Sequence, residues 1–143
     1  MKIGWKYLIT KAGTPVLCKL QILGGVHMSV MGAGLKYRTS RARVLEIYKL
    51  SVQRNCFGEL TEITLTKKAK VHVSRAISPM AGRTGNAATG LEYLSPLEYR
   101  PGKVITVSDF DYNAAGCAPG IHYFDTRQET LEYANRWEKA FAY

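Results

Sequence analysis

Helical spacing is confined to one end of this chain, and that confinement limits the folds open to it. Thr126-Arg127-Gln128-Glu129 has the form of a capping box, a hydroxyl at the N-cap and a carboxylate three residues on. Leu131, Ala134, Trp137, Ala140 and Phe141 then recur at the 3.6-residue period, with Tyr133 at the flank. The spacing predicts one amphipathic helix through the last fifteen residues. Upstream, apolar and polar residues instead alternate in short runs divided by Gly, Pro and Asn, which is the pattern of half-buried strands. Residues 5–10, 16–23, 44–52, 59–66, 104–107 and 121–124 read as strands. The expected fold is α+β: a twisted, mostly antiparallel sheet of about six strands with the C-terminal helix packed on it.

The turns between these runs carry their own chemistry. Lys11-Ala12-Gly13-Thr14-Pro15, Asn55-Cys56-Phe57-Gly58 and Pro101-Gly102 each place a glycine or proline where the chain must reverse. Gly24 to Gly34 is too glycine-rich for a regular strand interior and reads as a bent connection. Residues 78–90 form the longest stretch without periodicity, a Gly-rich loop or insertion, and loops of that kind are often functional. At 143 residues the whole chain, 1–143, fits one domain with a core of its own. It contains no apolar run long enough to span a membrane. The N-terminus lacks the form of a signal peptide, so the expected location is the cytoplasm. Three cysteines, Cys18, Cys56 and Cys117, stand far apart and without a C-x-x-C pair, which argues against a disulfide framework or a zinc site. Neither a metal nor a cofactor is expected.

Charge is the strongest functional signal. The net charge is +9, and residues 1–75 hold fourteen Lys/Arg against three acids, a local net of +11. Such asymmetry points to an anionic partner. The densest basic stretch is Lys36-Tyr37-Arg38-Thr39-Ser40-Arg41-Ala42-Arg43. Guanidinium groups pair with phosphate in a bidentate way and stack on rings. Tyr37, Arg38, Ser40, Arg41 and Arg43 are therefore candidate ligand-binding residues, joined by Arg83 and Thr84 from the 78–90 loop. The same basic stretch also reads as a polar turn leading into a strand. Cys117 and His122, on either side of Pro119-Gly120, are candidates for thiol chemistry. No third group is identifiable beside them, and a packed thiol with a carbonyl-bonded histidine accounts for the same residues.

Two segments together resemble a known family. They are Tyr37 to Ile47 (YRTSRARVLEI), and Tyr99 to Ile105 taken with Cys117 to Phe124 and Thr126 to Glu129 (CAPGIHYF, TRQE). Both resemble a family of unknown function found in phages and large DNA viruses, sometimes attached to pentapeptide repeats. The resemblance covers roughly residues 1–140; residues 76–98 depart from it and look like an insertion. It implies a viral origin and no defined activity. Added to the basic half, it makes capture of a small anionic nucleotide, of the kind used in host antiviral signalling, the leading expectation. A nucleic-acid-binding module, an inhibitor of a host protein and a Cys/His-dependent enzyme are the alternatives, and binding is favoured over catalysis. A homo-oligomer is left open.

Overall fold

The computed structural model describes residues 1–31, 34–65, 73–79, 98–107 and 120–140, with side chains described outside 27–36. The protein is α+β, with antiparallel strands and one C-terminal helix. Strand β1 (Ile3–Ile9) and strand β2 (Pro15–Ile22) form the opening hairpin. Its turn is held by Gly13, whose φ of 86° suits a residue without Cβ. Where the sequence predicts a bent connection, Val26–Met31 is a strand, β3, paired with β4 (Gly34–Thr39). The glycines fall at the ends of this hairpin, so they do not interrupt its ladder.

Strand β5 (Arg41–Lys49) follows β4 after the single residue Ser40. Strands β6 (Ser51–Arg54) and β7 (Leu60–Thr64) make a second hairpin, β8 is Val104–Thr106, and β9 is Ile121–Tyr123. One ladder runs β1-β2-β5-β8 and another runs β3-β4-β9. They are stitched together by reciprocal backbone bonds between Trp5 and Phe124, each of 2.8 Å. Pairing therefore runs from β1 through β2 to β5, the chain itself joins β5 to β4 through Ser40, and pairing resumes from β4 across β9 to β1. Ile77 takes the other end of the same β1 edge through Ile9.

The ladders bury residues on both faces. One core gathers Leu8, Val16, Cys18, Leu20, Ala42, Val44, Ile47, Ile105, Ile121 and Tyr123. Full burial of each such aliphatic side chain contributes roughly 1.5–3 kcal/mol before entropy is counted. Alternation along β5 predicts Leu45 and Ile47 on one face. The register shift between Lys19 and Leu20, opposite Glu46 and Val44, makes Leu45 an extra residue, so Val44 and Ile47 point inward instead. Cys18 lies wholly in this core. Burial pushes its thiol up, away from the reactive thiolate.

The second core lies on the other face, under helix α1 (Arg127–Ala140), and contains Tyr7, Ile9, Leu17, Leu50, Ile63 and Ala134. The helix begins as the sequence predicts: the Glu129 N–H donates to Thr126 Oγ1 at 3.2 Å, and that hydroxyl donates to the Glu129 carboxylate at 2.8 Å. Of the expected stripe, Ala134 is buried, Leu131 and Trp137 are half-buried, and Ala140 is exposed; Phe141 lies outside the described residues. Asn135 ties the helix to β7 by accepting from Ile63 N at 2.8 Å and donating to Ile63 O at 3.1 Å. Asn135→Leu keeps the size but strips both partners from a buried peptide. It should lower the unfolding free energy by about 1–2 kcal/mol in urea titration. A value indistinguishable from wild type would mean that Ile63 finds other partners.

Candidate functional site

The basic run predicted as one cluster is divided by Ser40. Before it, Tyr37, Arg38 and Thr39 oppose Tyr123, His122 and Ile121 on β9. After it, Arg41 and Arg43 oppose Thr106 and Val104 on β8. Thr39 and Arg41 have the same parity and would share a face in a regular strand. Yet Thr39 is fully buried and Arg41 is exposed. The bend at Ser40 makes the difference. Gly24 lies against it, with Leu23 N and Gly24 N both donating to Arg41 O at 2.9 and 3.0 Å.

Each candidate residue has a distinct fate. Arg38 is 0% exposed, so solvent-borne phosphate does not meet its guanidinium on this surface. The Tyr37 ring stacks on Tyr123, with centroids 5.6 Å apart, and Lys2 Nζ lies 5.3 Å from its centroid. Desolvation first, and then its hydrogen bond to the Asp125 carboxylate, push the Tyr37 phenol up. Tyr37 is thus a neutral packing and hydrogen-bonding group on β4. Ser40 is half-buried and its carbonyl accepts from Val107 N at 2.8 Å. Among the described residues of the predicted set, Arg41 and Arg43 alone stand exposed together on one strand face. Arg83, Thr84 and Cys117 lie outside the described residues. His122 is half-buried on β9, where its carbonyl accepts from Lys6 Nζ at 2.8 Å.

Pairing places further groups beside the two arginines. Gln21 on β2 stands directly opposite both Arg43 and Ile3, and Lys19 stands opposite both Glu46 and Trp5. Cross-strand neighbours share a face. A surface therefore runs from Arg41 and Arg43 through Gln21 and Lys19 to Trp5, continuous with the face that α1 covers further along. Trp5 marks the border, half-buried and packed against the second core. Two cations lie over its ring, Lys19 Nζ at 5.8 Å and the Arg127 guanidinium carbon at 5.5 Å from the centroid. Glu46, opposite Lys19, places a carboxylate on this face. Among the described residues, no ion pair within 4.0 Å involves Lys19, Arg41, Arg43 or Arg127.

Sequence reading missed Lys19, Trp5 and Arg127, and no local signal marks them. Lys19 reads as the polar half of an alternation, Trp5 as a strand aromatic and Arg127 as a first-turn helix residue. Only the strand register and the docking of α1 bring them together. Among the described residues, no three His, Cys, Asp or Glu gather as a metal-binding group, and no helix is long and apolar enough to cross a membrane.

Comparison of the chain with family models, with curated proteins and with solved structures returns no match.

Proposed function

We propose that this protein binds a small anionic, nucleotide-type ligand, with Arg41 and Arg43 as its phosphate-binding pair. The observation that carries this reading is their exposed, side-by-side placement with no carboxylate partner among the described residues. Strand positions two residues apart lie about 6.7 Å from each other. Two guanidinium groups on such a spacing can take the oxygens of one phosphate or of two linked phosphates. The resemblance to a viral family gives the proposal its setting, sequestration of a host signalling nucleotide. Nothing in the arrangement calls for turnover of the ligand.

Thermal unfolding in the presence of a panel of cyclic, linear and ADP-ribose-type nucleotides tests the proposal. A ligand at 100 times its Kd stabilises the folded protein by about 2.7 kcal/mol. Arg41→Ala/Arg43→Ala changes exposed side chains only, so its own stability should stay within about 0.5 kcal/mol of wild type. The ligand-induced rise in Tm should vanish in that variant. A rise of equal size in variant and wild type would remove the arginine pair from the function.

A further inference from the structure

We infer that the same face also takes single-stranded nucleic acid, held along a track that continues from Arg41 and Arg43 past Lys19 to the Trp5–Arg127 pair. The inference rests on the phosphate-binding role just proposed for Arg41 and Arg43 and extends it from a small nucleotide to a chain of nucleotides. Its first ground is extent. The cations lie on β5, on β2 and over Trp5 of β1, two interstrand steps of about 4.8 Å, or roughly 10 Å across the strands. Cations spread over that distance do not converge on one phosphate, whereas successive phosphates of a chain can meet them in turn.

The second ground is the chemistry at the far end. Lys19 comes from β2 and Arg127 from the first turn of α1, yet both lie over the Trp5 ring. The indole holds two like charges near one another without neutralising either. A carboxylate in its place would pair with them and weaken phosphate binding. Arg127 is exposed, and a guanidinium resting on an aromatic ring offers a planar surface on which an unpaired base can stack. The third ground is shape. Readers of duplex DNA insert a helix or a two-stranded ribbon into a groove. Here the cations lie on an open sheet face beside an aromatic ring, the combination that suits splayed bases and a tracked backbone. Glu46, between Arg43 and Lys19, disfavours indiscriminate attachment of anions at the centre of the track.

Fluorescence anisotropy with a labelled 12-nucleotide single strand tests the inference, against a 12-base-pair duplex, heparin and an unlabelled dinucleotide competitor, from 50 to 300 mM salt. Four phosphate contacts on a single strand give a slope of log affinity against log salt of about −3. Lys19→Ala/Arg127→Ala should halve that slope and weaken single-strand binding by on the order of 10-fold or more at low salt. Lys139→Ala, which removes an exposed charge at the other end of α1, should leave both unchanged. Circular dichroism confirms that each variant is folded. Duplex or heparin binding equal to that of the single strand would overturn the inference, as would a Lys19/Arg127 variant with unchanged affinity and slope. A dinucleotide that binds as tightly as the 12-mer and depends on Arg41 and Arg43 would overturn the inference while leaving the underlying binding role intact. Binding of neither nucleotides nor oligonucleotides would end both.

Discussion

Gly4→Ala should cost the protein about 3 kcal/mol, the upper part of the range for an overfilled core site. A Cβ on Gly4 would stand 2.4 Å from Tyr123 Cδ2 and 3.0 Å from both Cγ and Cε2. The ring has no free direction in which to withdraw. Tyr123 is fully buried in the first core, the Tyr37 ring stacks on it, and its backbone is paired to β4 through Tyr37. Relief therefore requires β1 and β9 to separate, which works against the Trp5–Phe124 bonds next to Gly4. For a chain of this length the loss should appear as a fall in Tm of roughly 6–12 °C. Gly4→Ala combined with Tyr123→Leu should be less unstable than the two single losses added together, because removing the ring makes room for the methyl group. Strict additivity, or a Gly4→Ala protein as stable as wild type, would contradict the close approach of β1 to β9.

Gly24→Ala should be comparably damaging and should also disturb ligand binding. There the new Cβ would lie 2.3 Å from Ser40 Oγ and 2.7 Å from the backbone nitrogen of Arg41. A hydroxyl can rotate aside, but the Arg41 nitrogen is part of the chain bend itself. Thr39 Oγ1 is 3.1 Å from the same point and accepts from Arg41 N at 3.4 Å, so the crowding reaches the turn from both sides. A loss of about 2–3 kcal/mol is expected in chemical denaturation. Measured at a temperature where the variant remains folded, its affinity for the nucleotide or single strand should also fall, because the bend sets the direction of Arg41. Wild-type affinity in a folded but destabilised Gly24→Ala protein would show that the bend and the binding face are independent.

These two glycines show which parts of the fold the sequence could carry. Gly24 reads as a mark of irregular chain, since its role as a contact with Ser40 depends on a residue sixteen positions away. Gly13, by contrast, is legible from its neighbours, because a positive φ in a tight turn is a local demand. The bent connection expected over Gly24 to Gly34 is in fact mostly the β3 strand, as pairing with β4 satisfies a segment whose composition argues against a ladder. At the candidate site, Arg41 and Arg43 were visible as part of a basic run. The burial of Arg38 was not, because a run of charges carries no mark of where a strand will bend.

What the amino-acid sequence determined by itself was local. It set the capped start of the helix at Thr126, the reversals at Gly13, Gly58 and Gly102, the alternation that makes strands, and the excess of positive charge in the first half of the chain. Each depends on neighbours within a turn or two, where sterics and hydrogen bonding act without help from the rest of the fold. Tertiary structure decided the faces. Side chains in a strand alternate with a period of two, so one extra residue at Leu45 or one bend at Ser40 exchanges the inside for the outside. Register then placed Lys19 across from Trp5, and the docking of α1 brought Arg127 over the same ring. The positive charge was written in the chain, but whether it would be buried, scattered or aligned into a track was settled only when the strands paired.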